Sequence, residues 1–554
     1  MPGIRPYGML VKTNVVLYFS RAAMAATLAW PATTIAQTSA THVANQTRVD
    51  ALDIANQATV GDNPNILVLP GLIADRETRE VRFLAEATGV GANEIIEFMI
   101  VGPGSSHDYE SLAVSFAKAS DINQALRFVG MPAGRAVNYG GLAFWPKGER
   151  VIVHVSPLDS PTNNAAVWAD PVRIENLIWL KEKGQPMDAS GLVFTGSKMV
   201  PAPDGGTNML FAADTTDPRA IISTYNDPQT LLDVPFQAGK GSVYASQIMR
   251  ESHAMQKNTL LTFVMRPERA HDNPRVLDLT LWVEPDASGG HALANATFTL
   301  RGSKAQPQLG PTNLPAIVTH LAEQQSTAER DPFITLAFSP DMPLAMARQL
   351  SQVFSELERR NGLRIEPPLQ GHVYYKALNP PEHNREREGR MQQPWELQML
   401  QEDGAWRGNL IQIEEDYDAT TATSVLRPTS YPVASSKALS QQLDDALRTE
   451  LRSGIAALPA DGVRATLETQ LAAVAGADLW KAPGEKLFST IQNALFSADI
   501  QITLPTKVRQ LRVILMYAPN EMTYGDAMTF LKDAMTSHPT IHIYLPKVEA
   551  TSSP

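Results

Sequence analysis

Apolar and polar positions change period along the chain, and those changes define the elements. Order begins at Asn65, where short β-like runs dominate: Ile66–Leu69, Val81–Leu84, Ile95–Val101 and Arg150–Val155. One helix interrupts them. It is expected to start at Asp121, whose carboxylate can cap the first turn, and to bury Ile122, Ala125, Leu126 and Val129 before Gly130 ends it. A second β-rich region at about 255–303 places Leu277–Glu284 and Ala296–Leu300 on either side of the turn-forming Asp286–Gly290.

The C-terminal half carries an internal repeat. Phe333–Phe338, then Ser339-Pro340-Asp341, a helix and Leu363–Pro367 form one copy; Leu511–Met516, then Tyr517-Ala518-Pro519-Asn520, a helix and Ile541–Pro546 form the other. Both read strand, Pro-turn, helix, strand, with a one-residue offset at Glu521 to align the turns. The first helix shows Met346, Leu350, Val353 and Leu357 at helical spacing, and Asn361-Gly362 ends it. Between the copies, Trp395–Met399, the turn Glu402-Asp403-Gly404 and Leu410–Ile413 read as a hairpin. Leu439, Leu443, Leu447, Leu451 and Ile455 then recur every fourth residue; Leu467, Leu471, Val474 and Leu487, Ile491, Leu495 continue the pattern. These are amphipathic helices, most simply packed on a core. The fold class is α+β and multi-domain: a β-rich N-terminal domain (65–250), a β-rich region (251–330), a first βαβ-like module with the hairpin (331–426), a helical region (427–505) and a second βαβ-like module (506–548).

The N-terminus changes the picture of location. Arg5, Lys12 and Arg21 precede the apolar run Ala22–Trp30, and small residues lead to Ala36-Gln37, the order of a secretory signal peptide cleaved after Ala36. Arg21 and Pro31 keep the run well below the ~20 residues a membrane span needs, although an uncleaved anchor over Asn14–Ala36 is the competing reading. Residues 37–64, rich in Thr, Ala, Asn, Gln and Asp, read as a linker or a loosely attached helix. The mature protein is thus expected to be periplasmic or extracellular, with no membrane span once the leader is gone.

Composition excludes several chemistries. The 554 residues contain no cysteine, which removes disulfides, thiolate metal sites and a Cys nucleophile. A net charge of −11 gives no electrostatic drive toward nucleic acid. Aromatic residues amount to 7% and are scattered, so no stacking ladder is legible. No Gly-x-Ser-x-Gly elbow, dinucleotide fingerprint or P-loop occurs, and no cofactor is expected.

The remaining chemistry sits after a glycine-rich turn. His107, Asp108 and Glu110 could supply a general base or metal ligands, with His154 on a strand as a further ligand. The simpler alternative is a scaffold in which Ser105, Ser106 and Asp108 satisfy backbone donors and Glu110 caps or pairs across the sheet. Glu414–Asp418 reads as a solvated acidic loop, Pro380–Arg390 as an exposed loop tip, and His538 as a helix-end residue. Trp145, Trp168 and Trp179 could line a concave patch.

The same turn carries a family resemblance. Glu97-Phe98, Gly102-Pro103-Gly104-Ser105-Ser106-His107-Asp108-Tyr109-Glu110-Ser111-Leu112, the helix Asp121–Gly130, Pro132–Val137 and Leu192–Ser197 together resemble the YdjY domain, over about Ile66 to Ala213. That family, of bacterial proteins without an established biochemical role, commonly has His directly before Glu-Ser, where this chain has Tyr109. The C-terminal units, with Met522-Thr523-Tyr524-Gly525 opening a helix, look faintly similar to the periplasmic part of the ExbD/TolR family. The expectation is an exported binding or assembly protein whose partner is an envelope protein or an extracellular polymer. The alternatives are an envelope hydrolase or metal-dependent enzyme using His107, Asp108 and Glu110, and an anchored component of a transport complex.

Overall fold

A computed structural model describes residues 39–545 apart from 139–142, 144, 160–169, 203–207, 244–245, 289, 291, 303–308, 328, 362, 367–372, 375–394, 419–422, 499, 501–511 and 539–540. The leader, the loop at Pro380–Arg390 and Trp168 therefore lie outside the described residues.

The apolar runs of the N-terminal half build a sheet that closes on itself. Ten strands matter here: β1 (Ile66–Leu69), β2 (Leu72–Asp75), β3 (Glu80–Ala87), β4 (Phe98–Val101), β5 (Ser111–Ser115), β6 (Arg150–Pro157), β7 (Leu192–Phe194), β8 (Ala220–Ser223), β9 (Leu232–Asp233) and β10 (Leu260–Pro267). Hydrogen bonding runs β3-β10-β6-β7-β9-β8-β4-β5 and returns to β3, with β1 and β2 as an antiparallel extension of β3. Closure removes the free edges that an open sheet exposes. Alternation is clear on β6, where Val151, Val153 and Val155 are buried while Ile152 and His154 are half-buried. The core gathers Phe83 and Phe263, stacked at 5.2 Å, with Phe98, Phe194 and Ile100.

Two expectations sharpen in this half. Of the two readings of the segment at 37–64, its described part is the helix, α1 (Ala40–Val60), capped by Ser39 and fastened to the sheet by Asn45 on Glu86, by His42 on the same carboxylate at 2.5 Å, and by Asp53 on the Gly71 N–H at 2.8 Å. Its polar surface hides the docking, since Val49 is its one buried side chain among the described residues. The second helix, α2 (Ala119–Phe128), starts two residues before Asp121, and its Ser120 N–H is satisfied by Asp214 from the distant one-turn helix Ala212–Thr215. Its buried face is the expected one: Ile122, Ala125, Leu126 and Val129.

The C-terminal half is a duplicated module larger than the strand-helix-strand unit visible in the sequence. The first copy comprises β11 (Val276–Pro285), β12 (Ala296–Gly302), β13 (Leu309–Thr312), α3 (Leu314–Ser326), β14 (Asp331–Phe338), α4 (Leu344–Asn361) and β15 (Arg364–Glu366), in sheet order β13-β12-β11-β14-β15. After β16 (Val373–Tyr374), the second comprises β17 (Trp395–Glu402), β18 (Ala405–Asp418), β19 (Thr423–Val433), helices α5 (Ser436–Ala456), α6 (Asp461–Ala473) and α7 (Ala482–Ser497), then β20 (Val513–Tyr517), α8 (Tyr524–Ser537) and β21 (His542–Tyr544). Its order, β19-β18-β17-β20-β21, is the same, with the central pairs β11·β14 and β17·β20 both parallel. Strand β16 adds to the edge of β21.

The domain boundaries shift accordingly. Residues 260–267 complete the N-terminal barrel, β11 to α3 belong to the first module, and the hairpin β17–β18 belongs to the second, in which the helical region is an insertion. The turns align without the offset at Glu521: Met342 N–H donates to Ser339 O at 3.0 Å and Met522 N–H to Pro519 O at 3.2 Å. Glu414–Asp418 is no loop but the end of β18, paired with Thr423–Arg427. The hairpin turn is as expected, with Asp403 and Gly404 both at positive φ.

Helices α5, α6 and α7 bury the expected stripes, except that Val474 lies just past α6 and is half-buried. Each leucine so buried contributes roughly 1.5–3 kcal/mol. They meet α8 at one polar knot. His538 is fully buried at the end of α8; its Nε2 lies 2.8 Å from Asp444 of α5, and the Trp480 indole N–H donates to the same carboxylate oxygen at 2.9 Å.

Candidate functional site

Chain reversal after β4 sets up the polar turn. Gly104 has φ +72°, which a side chain would strain, and Gly102 N–H donates to Arg219 O at 2.8 Å. Arg219 returns a bond to Pro103 O at 2.5 Å, tying the turn to the segment before β8. Ser105 Oγ donates to Pro218 O at 2.6 Å and accepts from His107 N–H, while Ser111 Oγ donates to His107 O. This bears out a scaffold role for Ser105. Ser106 bonds Asp217 through both its hydroxyl and its N–H.

These bonds hold His107 between two acids. Its Nδ1 lies 2.5 Å from Glu110 Oε1 and its Nε2 lies 3.3 Å from Asp217 Oδ2. The ring meets the edge of Phe98 at 5.8 Å, and Tyr109 stacks on it at 5.9 Å and 27°. Partial desolvation pushes the Asp217 carboxyl upward, but the two Ser106 bonds and the charges of His107 and Arg219 outweigh it and hold it below its ordinary value.

A second carboxylate layer lies behind the first. Glu97 is almost fully buried and paired with Lys240 at 2.7 Å, and its backbone N–H donates to Glu110 O at 2.9 Å. Tyr225 packs against Phe98 at 5.7 Å, and burial, followed by the charges of Asp227, Glu97, Glu110 and Asp233, pushes its phenol well upward. Asp233 is fully buried. Its Oδ1 accepts from Asn226 at 3.0 Å and Val234 N–H at 2.7 Å, whereas burial drives its carboxyl well above the ordinary range.

The structure thus brings together His107 and Glu110. Asp108 is exposed on the neighbouring cleft instead of satisfying the turn. His154 is elsewhere, on β6 beside Arg173 and Arg266; burial first, then those cations, lower its pKa. Among the described residues no group of three or more His, Cys, Asp or Glu side chains could hold a metal ion, so His107, Glu110 and His154 do not form one centre. Of the three tryptophans, Trp168 lies outside the described residues, while Arg364 lies over the Trp145 ring at 5.3 Å and Arg250 over the Trp179 ring at 5.9 Å. The residue that sequence reasoning missed is Asp217, more than a hundred positions from His107 and unmarked by any local motif.

No helix among the described residues is long and apolar enough to cross a membrane. Compared with protein-family models and with curated proteins, the chain matches none.

Proposed function

We propose that this chain is an exported protein of the bacterial envelope that works by binding or assembly. The observation that carries the reading is the surroundings of His107: Nδ1 lies 2.5 Å from Glu110 and Nε2 lies 3.3 Å from Asp217, so both ring nitrogens already face carboxylates of the chain itself. Ser106, the adjacent hydroxyl, donates to the Asp217 carboxylate and not to His107. Groups that saturate one another fit a rigid scaffold better than a reaction centre. The signal-like leader and the YdjY-like motif around Gly102–Leu112 support the envelope location.

Purified mature protein, analysed for metals and for its N-terminus, tests this. The expected result is a chain beginning at Gln37 without stoichiometric metal, in which His107→Ala and Glu110→Ala lower the melting temperature. Stoichiometric metal lost in either variant, or turnover of a defined compound abolished by Glu110→Gln at unchanged melting temperature, would overturn it.

A further inference from the structure

The turn that locks His107 also presents something. Tyr109 is 67% exposed, the largest ring so displayed beside the turn, yet it is not loose: one face stacks on His107, which Glu110, Asp217 and Phe98 hold in place. Tyr109 lines an open cleft of about 810 Å³, within the ~300–1,000 Å³ of small-ligand sites. Asp108, Glu94, Lys181 and Lys257 stand around it. Among the described residues, Asp108 carboxylate and the ammonium groups of Lys181 and Lys257 make no ion pair, whereas Glu94 is turned onto the Gly91 N–H at 2.7 Å. The floor is held by Gly89 at φ +81°, where a Cβ would meet Lys257 Cβ at 2.7 Å.

Elimination narrows the occupant. Val90 and Ile95 are the only large aliphatic side chains in the lining, too little for an apolar ligand. The lining carries both signs, Glu94, Asp108 and Glu110 with Lys181 and Lys257, so no single-sign field draws a polyanion or a polycation. What matches is an uncharged ligand that both donates and accepts hydrogen bonds and has a flat face of C–H groups for a pre-organised aromatic ring. We infer that the Tyr109 cleft binds a neutral oligosaccharide, one sugar ring lying on Tyr109 and its hydroxyls reaching Asp108, Lys181 and Lys257. This rests on the binding reading above and gives it a ligand class.

Calorimetric titration of the full mature chain with cellotetraose, maltotetraose and chitotetraose tests the inference, with the peptide Ala-Glu-Lys-Ala and a heparin hexasaccharide alongside. At least one neutral tetrasaccharide should bind. Tyr109→Ala should weaken it about tenfold and Tyr109→Phe less than about threefold, with both variants melting as the parent does, because the ring stacks without needing its hydroxyl. Binding by none of the three sugars, equal binding by Tyr109→Ala, or binding of the peptide or heparin alone would overturn the oligosaccharide inference and leave the binding reading standing. Cleavage of a tetrasaccharide during the titration would instead overturn the non-enzymatic reading.

Discussion

Asp331, the first residue of β14, joins the barrel to the first module, and its loss should loosen that joint. Its Oδ2 lies 3.0 Å from Arg150 Nη2 of β6 and 3.2 Å from Arg275 Nε, and its Oδ1 lies 3.2 Å from Arg364 Nη1 of β15. Arg150 is 5% exposed, so without Asp331 its charge stays buried with only Ser190 O, at 2.8 Å, as a close acceptor among the described residues. Removing one member of a buried pair costs about 3–5 kcal/mol. Asp331→Asn keeps one oxygen, which sets the expectation at about 3 kcal/mol, roughly a 150-fold shift in opening. Desolvation raises the Asp331 carboxyl, but Arg364, Arg150 and Arg275 together hold it below its ordinary value. A folded value below the unfolded one means the contribution is complete above about pH 4 and is lost as pH falls through the folded value. Hydrogen exchange of β6 and β14, with tryptophan fluorescence during urea unfolding, reads the effect, since Trp145 lies against Arg364. Exchange in both strands should rise in Asp331→Asn, and adding Arg150→Met should recover about half of the loss. A variant within about 0.5 kcal/mol of the parent from pH 5 to 8 would refute the reasoning.

Two further expectations concern the half-buried Asp444 and the fully buried Asp233. Asp444→Ala strips both His538 and the Trp480 indole of their shared acceptor; a loss of about 3 kcal/mol should appear in urea unfolding, together with a changed near-UV signal from Trp480, and a loss below about 1 kcal/mol would contradict the knot. Asp233, whose carboxyl burial raises above its unfolded value, contributes most at pH below that unfolded value and loses its contribution as pH rises toward the folded one. Asp233→Asn has no proton to lose, so its urea midpoint should gain on the parent between pH 5 and pH 8; a pH-independent difference would rule this out.

Local periodicity made most elements legible and left their partners hidden. The α5 stripe from Leu439 to Ile455 and the β6 alternation follow from one face meeting a core, so the sequence reports them directly. Barrel closure does not report itself, because β3 meets β5 and β10 through pairings over very different sequence distances. The docking of α1 was hidden for another reason: it uses Asn45, His42 and Asp53, polar residues that leave no apolar stripe to read. The candidate site divides the same way. His107 and Glu110 sit three residues apart and meet within one turn, whereas Asp217 arrives by a fold-level path.

The duplicated modules show what their turns are for. The first N–H groups of a helix have no partner within it. Here Leu344 N–H, opening α4, donates to Met522 O at 3.0 Å, and Tyr524 N–H, opening α8, donates to Met342 O at 2.8 Å. Each module therefore satisfies the helix start of the other through equivalent atoms, with Pro343 facing Thr523 across the bridge. That is the self-complementary contact of a two-fold dimer, made within one chain. Linkage makes the encounter intramolecular, so a contact too small to hold two separate modules at low concentration can persist. Gly525 permits the approach: a Cβ there would stand 3.0 Å from Pro340 O. The position equivalent to Gly525 in the first copy is Ala345, so the pairing is only approximately symmetric, and the tighter side is the one where the side chain is missing.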